Sequence, residues 1–194
     1  MNIKMKKLKN ALDTMEGKKF KIAYADGLNA FELLVFQLIS TTRKAFADAG
    51  LTNYKMAHAA LAHQTADPLT NTWYSTFYCL IETDQELTAH LTTIRNFVRE
   101  LTKERNVLAH TAFWGHSDVD IANTGLTVFL LRHGAKGAKS VEQNVRTNDL
   151  IAFRSRCDTA AHAVLVFSVA AVDADWKNNL NIAVRRMRES KKEE

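Results

Sequence analysis

The stretch Thr83–His110, which reads TDQELTAHLTTIRNFVRELTKERNVLAH, carries the clearest structural signal in the chain. Its apolar residues recur every three or four positions, the spacing that places side chains on one face of an α-helix. Thr83 and Glu86 match a capping box, in which each side chain bonds the other residue's free backbone amide. The stretch therefore predicts a long amphipathic helix that ends shortly after His110. Its apolar residues are Leu87, Leu91, Ile94, Phe97, Val98, Leu101 and Leu108.

The segments before this stretch also favour helices. The chain of 194 residues has one proline and 7 glycines, so the main turn-forming residues are scarce. We expect a long helix that is capped by Asp26 and ended by Gly50. Thr52 or Asn53 can cap a shorter helix, and Pro68 suits the first turn of a third.

Residues 124–146 differ in composition from the segments before them. A run rich in apolar and β-branched residues begins at Leu126, two glycines follow, and a more polar run comes after them. This order predicts a β-hairpin. Thr147 can cap a last helix, which runs to about Glu189 with a break near residues 173–175. The prediction is a mostly α chain, with residues 1–22 as a basic N-terminal arm or helix and residues 23–194 as a single helical domain.

The net charge of +5 is concentrated at the two ends of the chain. Residues 1–22 hold seven lysines against two acidic residues, and residues 177–194 hold six lysines and arginines against three glutamates. Two interpretations remain open. The basic ends could contact the phosphates of a nucleic acid, or they could be solvated helix faces and tails.

The remaining signals exclude several classes of protein. Cys79 and Cys157 lie in apolar contexts without a CxxC pair, so we expect reduced core thiols. The longest near-apolar run, Ala163–Val172, is shorter than the roughly 20 residues of a membrane span. Acidic residues stand where a signal peptide would have its apolar core, so a cytoplasmic protein without a membrane partner is expected. No metal-binding or nucleotide-binding motif is found, so no metal or cofactor is expected.

Arg105, Asn106 and His110, at the end of the predicted long helix, are the candidate catalytic residues. They resemble the motif of the HEPN superfamily, in which an arginine, often followed directly by a polar residue, precedes a histidine by four to six positions. The context is also similar, since a hairpin and a final helix follow. Thr111 departs from the pattern, because relatives often have glycine there.

A second pair, Arg156 and His162, has the same spacing in the sequence. It lies in an apolar part of the predicted last helix, away from the features that accompany the first pair. We interpret His162 as a packing residue.

The resemblance implies a HEPN-like antiparallel helical bundle with the hairpin inserted between the motif helix and the last helix. It also implies a metal-independent endoribonuclease in a toxin or antiviral-defence role, with RNA as substrate and an antitoxin as a possible protein partner. Such enzymes are homodimers in which two copies of the motif meet. The alternative is a non-catalytic HEPN-like module that binds nucleotide, RNA or a protein partner.

The chemistry of the three residues fits RNA cleavage by the neighbouring 2′-hydroxyl. Histidine suits proton transfer near neutral pH, and arginine can stabilise charge on the phosphorane oxygens. Asn106 and His110 share a helix face, so the amide could hold the imidazole in one tautomer. Arg105 and His110 are about 140° apart around an ideal helix, so either the helix unwinds at His110 or a second protomer completes the site. The resemblance to the HEPN superfamily implies the second.

A purely structural interpretation of the motif also stands. Arg105 could pair with a carboxylate such as Glu100 or Glu104. His110 could stabilise the end of the helix by its interaction with the helix dipole.

Overall fold

Six helices and two strands make up the described part of the computed structural model, which covers residues 14–51, 53–81, 83–109, 126–134 and 137–191. The mostly helical character predicted from the sequence is confirmed. Strand β1 pairs antiparallel with β2, with Leu126 opposite Val145 and Gly134 opposite Gly137. A short 3-10 turn, Ala174–Trp176, separates the last two helices and confirms the predicted break. The elements are α1 (Met15–Asp48), α2 (Tyr54–Ala62), α3 (Ala66–Ile81), α4 (Gln85–Ala109), β1 (Leu126–Gly134), β2 (Gly137–Val145), α5 (Thr147–Ala170) and α6 (Lys177–Glu189).

Helix α1 begins eleven residues before the predicted cap. The side chain of Thr14 accepts a hydrogen bond from the amide of Gly17 at 3.1 Å and so caps the helix. The prediction that Asp26 starts a new helix is wrong, because that residue lies inside α1. The backbone amides around it are already bonded within the helix, and its carboxylate instead accepts a hydrogen bond from Arg154 at 2.9 Å.

The predicted end of this helix at Gly50 is confirmed. Gly50 has a φ angle of 92°, a left-handed conformation that residues with a Cβ rarely adopt. The amide of Leu51 then donates to the carbonyl of Phe46 at 2.9 Å, which satisfies one of the last carbonyls of the helix.

The starts of α2 and α3 agree with the predictions from the sequence, and the start of α5 differs by one residue. Asn53 caps α2 by accepting a hydrogen bond from the Met56 amide at 3.1 Å, and Pro68 lies in the first turn of α3 as predicted. The prediction that Thr147 caps α5 is wrong, because Thr147 is already the first helical residue. Arg146 is the residue before it, and its amide donates to the Asp149 carboxylate at 2.8 Å.

Asp84, and not Thr83, caps α4. One carboxylate oxygen accepts a hydrogen bond from the Leu87 amide at 3.0 Å, and the other accepts one from Lys177 Nζ at 2.5 Å. The capping-box prediction placed the helix start one residue too early, because the carboxylate of Asp84 reaches the free amides of a helix that begins at Gln85. The hydrogen bond from Leu87 and then the one from Lys177 hold the pKa of Asp84 below its usual range.

This cap should make the stability of the protein depend on pH. Asp84→Ala removes the cap and should cost about 1 kcal/mol of unfolding free energy at pH 7. Asp84→Asn keeps a capping oxygen but loses the charge, so it should cost less. Because the folded pKa of Asp84 lies below its unfolded value of about 3.9, the stability it contributes is present above that value and is lost as the pH falls through the folded pKa. Urea unfolding of wild type and Asp84→Asn from pH 7 to pH 2.5 should show the difference shrink. A difference that is the same at both ends of this range would contradict the prediction.

Helix α1 is the one described helix that is long and apolar enough to cross a membrane, by length and composition alone. An 18-residue window within it has a mean hydropathy of 1.3, and 33% of that window is buried. A core helix of a soluble protein and a signal sequence near the N-terminus pass the same test. The longest near-apolar run of the sequence, residues 163–172, lies elsewhere, at the end of α5 and in the two residues after it.

The chain divides into two compact units. Among the described residues, the first comprises 14–29, 104–109, 126–134 and 137–154, and the second comprises 30–51, 53–81, 83–103 and 155–191. Within the first unit, Gly27 allows a close approach, since a Cβ at that position would lie 3.2 Å from the Phe153 ring.

Three aromatic rings lie at the centre of the second unit. Trp73, Phe77 and Phe167 contact one another with centroid separations of 5.5 to 5.7 Å. Trp73 is fully buried, and its indole nitrogen donates to the hydroxyl of Thr41 at 3.1 Å. Trp73 is therefore buried with its indole N–H hydrogen-bonded.

The two cysteines differ in burial. Cys157 is fully buried, as expected, but Cys79 is exposed, so the prediction of a second core thiol is wrong. Trp73 and Phe77 occupy the buried face of α3, and Cys79 lies on another face. The apolar context in the sequence did not distinguish these faces.

Candidate functional site

Arg105 and Asn106 lie in the last two turns of α4, within the first unit. Arg105 is half-buried and its Nε atom is buried, whereas Asn106 is exposed. Consecutive helical residues point about 100° apart, which explains why the two neighbours differ in burial. The arginine is therefore held by its surroundings, and the amide of Asn106 faces solvent.

Tyr24 of α1 contacts this end of the helix. Its hydroxyl donates a hydrogen bond to the carbonyl oxygen of Leu108 at 3.0 Å. The last four carbonyls of an α-helix have no partner within the helix, and that of Leu108 is one of them. Tyr24 thus satisfies a terminal carbonyl two residues before His110 and joins α1 to the end of α4 within the first unit.

The charge of Arg105 also affects the pKa of the Tyr24 phenol. Burial raises the pKa of Tyr24, and the positive charge of Arg105 acts in the opposite direction with a smaller effect. The hydroxyl therefore stays protonated at neutral pH, as its role as a donor to Leu108 requires. The geometry brings together a neutral phenol, an arginine and the last turn of α4.

The third candidate residue, His110, lies outside the described residues, and so does Thr111. One of the carboxylates considered as a partner of Arg105, Glu100, pairs with Lys191 at 2.6 Å in the second unit. The second Arg-to-His pair has a different arrangement from the one expected. Arg156 is buried and His162 is exposed, so the interpretation of His162 as a packing residue is wrong.

Tyr24 is the residue at this site that sequence reasoning missed. It is separated from Arg105 by some eighty residues and lies inside a helical segment without a recognisable motif. Only the packing of α1 beside the end of α4 brings the two together. Within the described ranges, no group of three or more His, Cys, Asp or Glu side chains could hold a metal ion.

Comparison of the chain with protein-family models, with curated proteins and with solved structures finds no match. The resemblance to the HEPN motif therefore depends on Arg105, Asn106 and His110 and on their place in the order of elements.

Proposed function

We propose that this chain is a metal-independent endoribonuclease of the HEPN type, with Arg105, Asn106 and His110 as its catalytic residues. The observation that carries the proposal is the half-buried Arg105 in the turn of α4 that leads to His110, where the Tyr24 hydroxyl bonds the carbonyl of Leu108. An arginine held in this way offers fixed, charged donors at a helix end. Such donors stabilise the negative charge that develops on a phosphorane.

The reaction would be an attack of the ribose 2′-hydroxyl on the adjacent phosphorus. His110 suits removal of the hydroxyl proton and delivery of a proton to the leaving 5′-oxygen, because the pKa of histidine lies near neutral pH. Asn106 is four residues before His110, so a helical path through the motif would place its amide beside the imidazole. The product would carry a 2′,3′-cyclic phosphate.

Tyr24 would act as a positioning residue. Its hydrogen bond to the Leu108 carbonyl restrains the backbone between Arg105 and His110, and its neutral hydroxyl adds no negative charge that would repel a phosphate. A carboxylate in the same place would weaken binding of the substrate. This role agrees with the raised pKa of the phenol.

A homodimer forms part of the proposal. On an ideal helix Arg105 and His110 point in directions about 140° apart, so one copy of the motif converges poorly on a single phosphate. A two-fold axis places each residue opposite its own copy and can supply an arginine and a histidine from different protomers. We also propose a toxin or defence role in the cytoplasm, with an antitoxin as a possible partner. Cys79 and Cys157 form no disulfide with each other, which agrees with that location.

The proposal is tested by incubating the purified protein with single-stranded RNA in excess EDTA. We expect cleavage that is insensitive to EDTA, fragments that end in a 2′,3′-cyclic phosphate, and loss of cleavage in His110→Ala. The cyclic ends are identified because phosphatase removes the terminal phosphate only after acid opens the ring.

Two outcomes would contradict this proposal. Cleavage that persists in His110→Ala would assign the activity to a contaminant or to another site. RNA binding without any cleavage, unchanged in His110→Ala, would identify the chain as the alternative, a non-catalytic module. Sedimentation of both proteins at the same concentration shows whether the variant keeps the oligomeric state of the wild type.

A further inference from the structure

Helix α6 combines a buried apolar face with a basic exposed face in the second unit. Its apolar face consists of Leu180, Ala183, Val184 and Met187, each at most 2% exposed. The helix also carries four basic residues and a single acidic one, Glu189. The apolar side therefore packs into the unit, and the excess positive charge lies on the side that faces solvent.

Two lysines join the two ends of this segment to α4. Lys177, the first residue of α6, bonds the Asp84 carboxylate at 2.5 Å. Lys191, two residues after the helix ends, pairs with Glu100 at 2.6 Å. Each lysine is thus neutralised by a carboxylate of the same unit, so both of these cations serve the fold.

Three arginines in the last turns of α6 differ from the lysines. Arg185, Arg186 and Arg188 are all exposed. The guanidinium of Arg186 makes no hydrogen bond or ion pair to any residue that the structure describes. Arg188 donates to the hydroxyl of Thr93 at 3.1 Å, and no carboxylate in the described ranges lies within ion-pair distance of it. Arg185 lies 3.9 Å from Glu189, but the two side chains are 69% and 60% exposed, and such a pair contributes little.

The charge of these three arginines, the arginine cluster, is therefore largely uncompensated. Their positions fall within one turn of the helix, so the positive charge is concentrated on a small surface. A guanidinium also presents parallel N–H groups that match the oxygens of a phosphate. The arginine cluster is complementary to a ligand that carries several phosphates.

The burial of the apolar face selects among polyanionic partners. A stable protein interface has an apolar core, and an amphipathic helix binds a membrane by inserting its apolar face. The apolar face of α6 is already covered by its own unit, so it serves neither purpose. Contacts with a nucleic-acid backbone need only charge and hydrogen-bond donors. A nucleic acid is therefore the partner that this surface fits.

We propose that Arg185, Arg186 and Arg188 bind the phosphate backbone of RNA. The inference rests on the proposed function in taking RNA as the nucleic acid, and it concerns residues that are not among the proposed catalytic groups. The arginine cluster would hold the strand by charge without reading its bases. It divides the basic C-terminal segment into lysines that stabilise the fold and arginines that bind the ligand.

The experiment measures binding of fluorescein-labelled decauridylate by fluorescence anisotropy at several salt concentrations. All proteins carry His110→Ala, and EDTA is present, so the RNA stays intact. The variant with Arg185→Gln, Arg186→Gln and Arg188→Gln should bind about a hundredfold more weakly at about 0.1 M salt, and its slope of log affinity against log salt should fall by about two. Both values follow from the loss of three phosphate contacts to a single strand. Lysine at the same three positions keeps the charge and should keep the slope.

Glu189→Gln should have the opposite effect. It removes the single carboxylate of α6 and frees Arg185. The affinity should rise, by up to about fivefold at about 0.1 M salt, the contribution of one phosphate contact. A loss of affinity in Glu189→Gln would contradict the assignment of the RNA to the arginine cluster.

A variant with Lys44→Gln, Lys55→Gln and Lys103→Gln is the matched control. It removes three exposed cations of the second unit and changes the net charge by the same amount. Its slope should stay unchanged, because these lysines lie outside the arginine cluster. Equal losses in the two triple-glutamine variants would overturn the inference, as would a parent protein that binds no RNA. Loss of binding to phosphatidylserine vesicles with unchanged RNA affinity would also overturn it, since the surface would then bind membranes.

The same measurements separate this inference from the proposed function. Binding that depends on the arginine cluster, in a protein whose wild type cleaves no RNA, supports the RNA-binding surface and refutes the ribonuclease. Cleavage by the wild type together with binding that is indifferent to the three arginines has the opposite meaning. Circular dichroism melts of each variant show that the compared proteins are folded.

Discussion

Arg105→Ala should lower the rate of RNA cleavage at least a hundredfold, the usual cost of removing one preorganised donor to a developing oxyanion. The effect should appear in the rate at saturating RNA, because the arginine acts where charge grows in the transition state. Arg105→Lys should recover little of the loss, since an ammonium cannot reproduce the planar, two-pronged donor geometry of a guanidinium. Single-turnover cleavage of a labelled RNA in EDTA measures these rates.

Lys103→Ala is the matched control for this substitution. Lys103 is an exposed cation on the same helix, two residues before Arg105. Its removal should change the rate little at moderate salt, because an exposed lysine contributes a general charge and no fixed donor. Similar losses in both variants would show that Arg105 acts only through net charge, which would contradict a catalytic role.

A mixing experiment tests the composite site. When inactive Arg105→Ala and His110→Ala proteins are mixed and allowed to exchange protomers, heterodimers should cleave RNA well above the level of either variant alone. In such a heterodimer one protomer supplies the arginine and the other the histidine. Protomer exchange is verified by sedimentation or by a tag on one variant. Exchange without recovery would contradict a site shared between protomers.

Trp73→Ala should reduce the free energy of unfolding by about 3 to 5 kcal/mol, the usual cost of truncating a fully buried aromatic residue. The substitution would leave a cavity against Phe77 and Phe167, and it would also remove the donor to the Thr41 hydroxyl. For a chain of this size, the melting temperature should fall by roughly 10 °C. Urea unfolding followed by fluorescence and circular dichroism measures the effect.

Two variants separate the contributions at this position. Thr41→Val removes the hydroxyl that accepts from Trp73 but keeps the packing, so it should cost about 1 kcal/mol. Trp176→Ala is the control for removal of a tryptophan, because Trp176 is 39% exposed, and it should cost less than about 1 kcal/mol. A loss in Trp176→Ala that equals the loss in Trp73→Ala would contradict the assignment of Trp73 to the core.

Helix α4 shows which features of the fold could be predicted from the sequence. Six of its apolar positions, from Leu87 to Leu101, recur at helical spacing, and the structure buries all of them. The start of the helix was predicted one residue too early, because Thr83 and Asp84 are both good caps and the choice between neighbouring caps depends on contacts with distant residues. Lys177, nearly a hundred residues away, binds the Asp84 carboxylate.

The candidate functional residues also differ in whether a local sequence pattern reveals them. Arg105 and Asn106 were found from their order in the sequence, since adjacent residues with a histidine a few positions later form a local pattern. Tyr24 could not be found in this way, because its role depends on a hydrogen bond to a backbone carbonyl of another helix. The contact of Arg95 with the ring of Tyr74 could not be found in this way either, because it depends on the pairing of α3 with α4.

The sequence by itself determined the mostly helical character of this protein, because helical periodicity, capping residues and the scarcity of proline and glycine act over a few neighbouring residues. It also indicated Arg105, Asn106 and His110 as candidate catalytic residues. The tertiary structure decided which side chains are buried and which residues meet, including the exposure of Cys79 and the contact of Tyr24 with the motif helix. The physical reason is that burial and contact depend on side chains brought together from distant parts of the chain, and no local pattern specifies them.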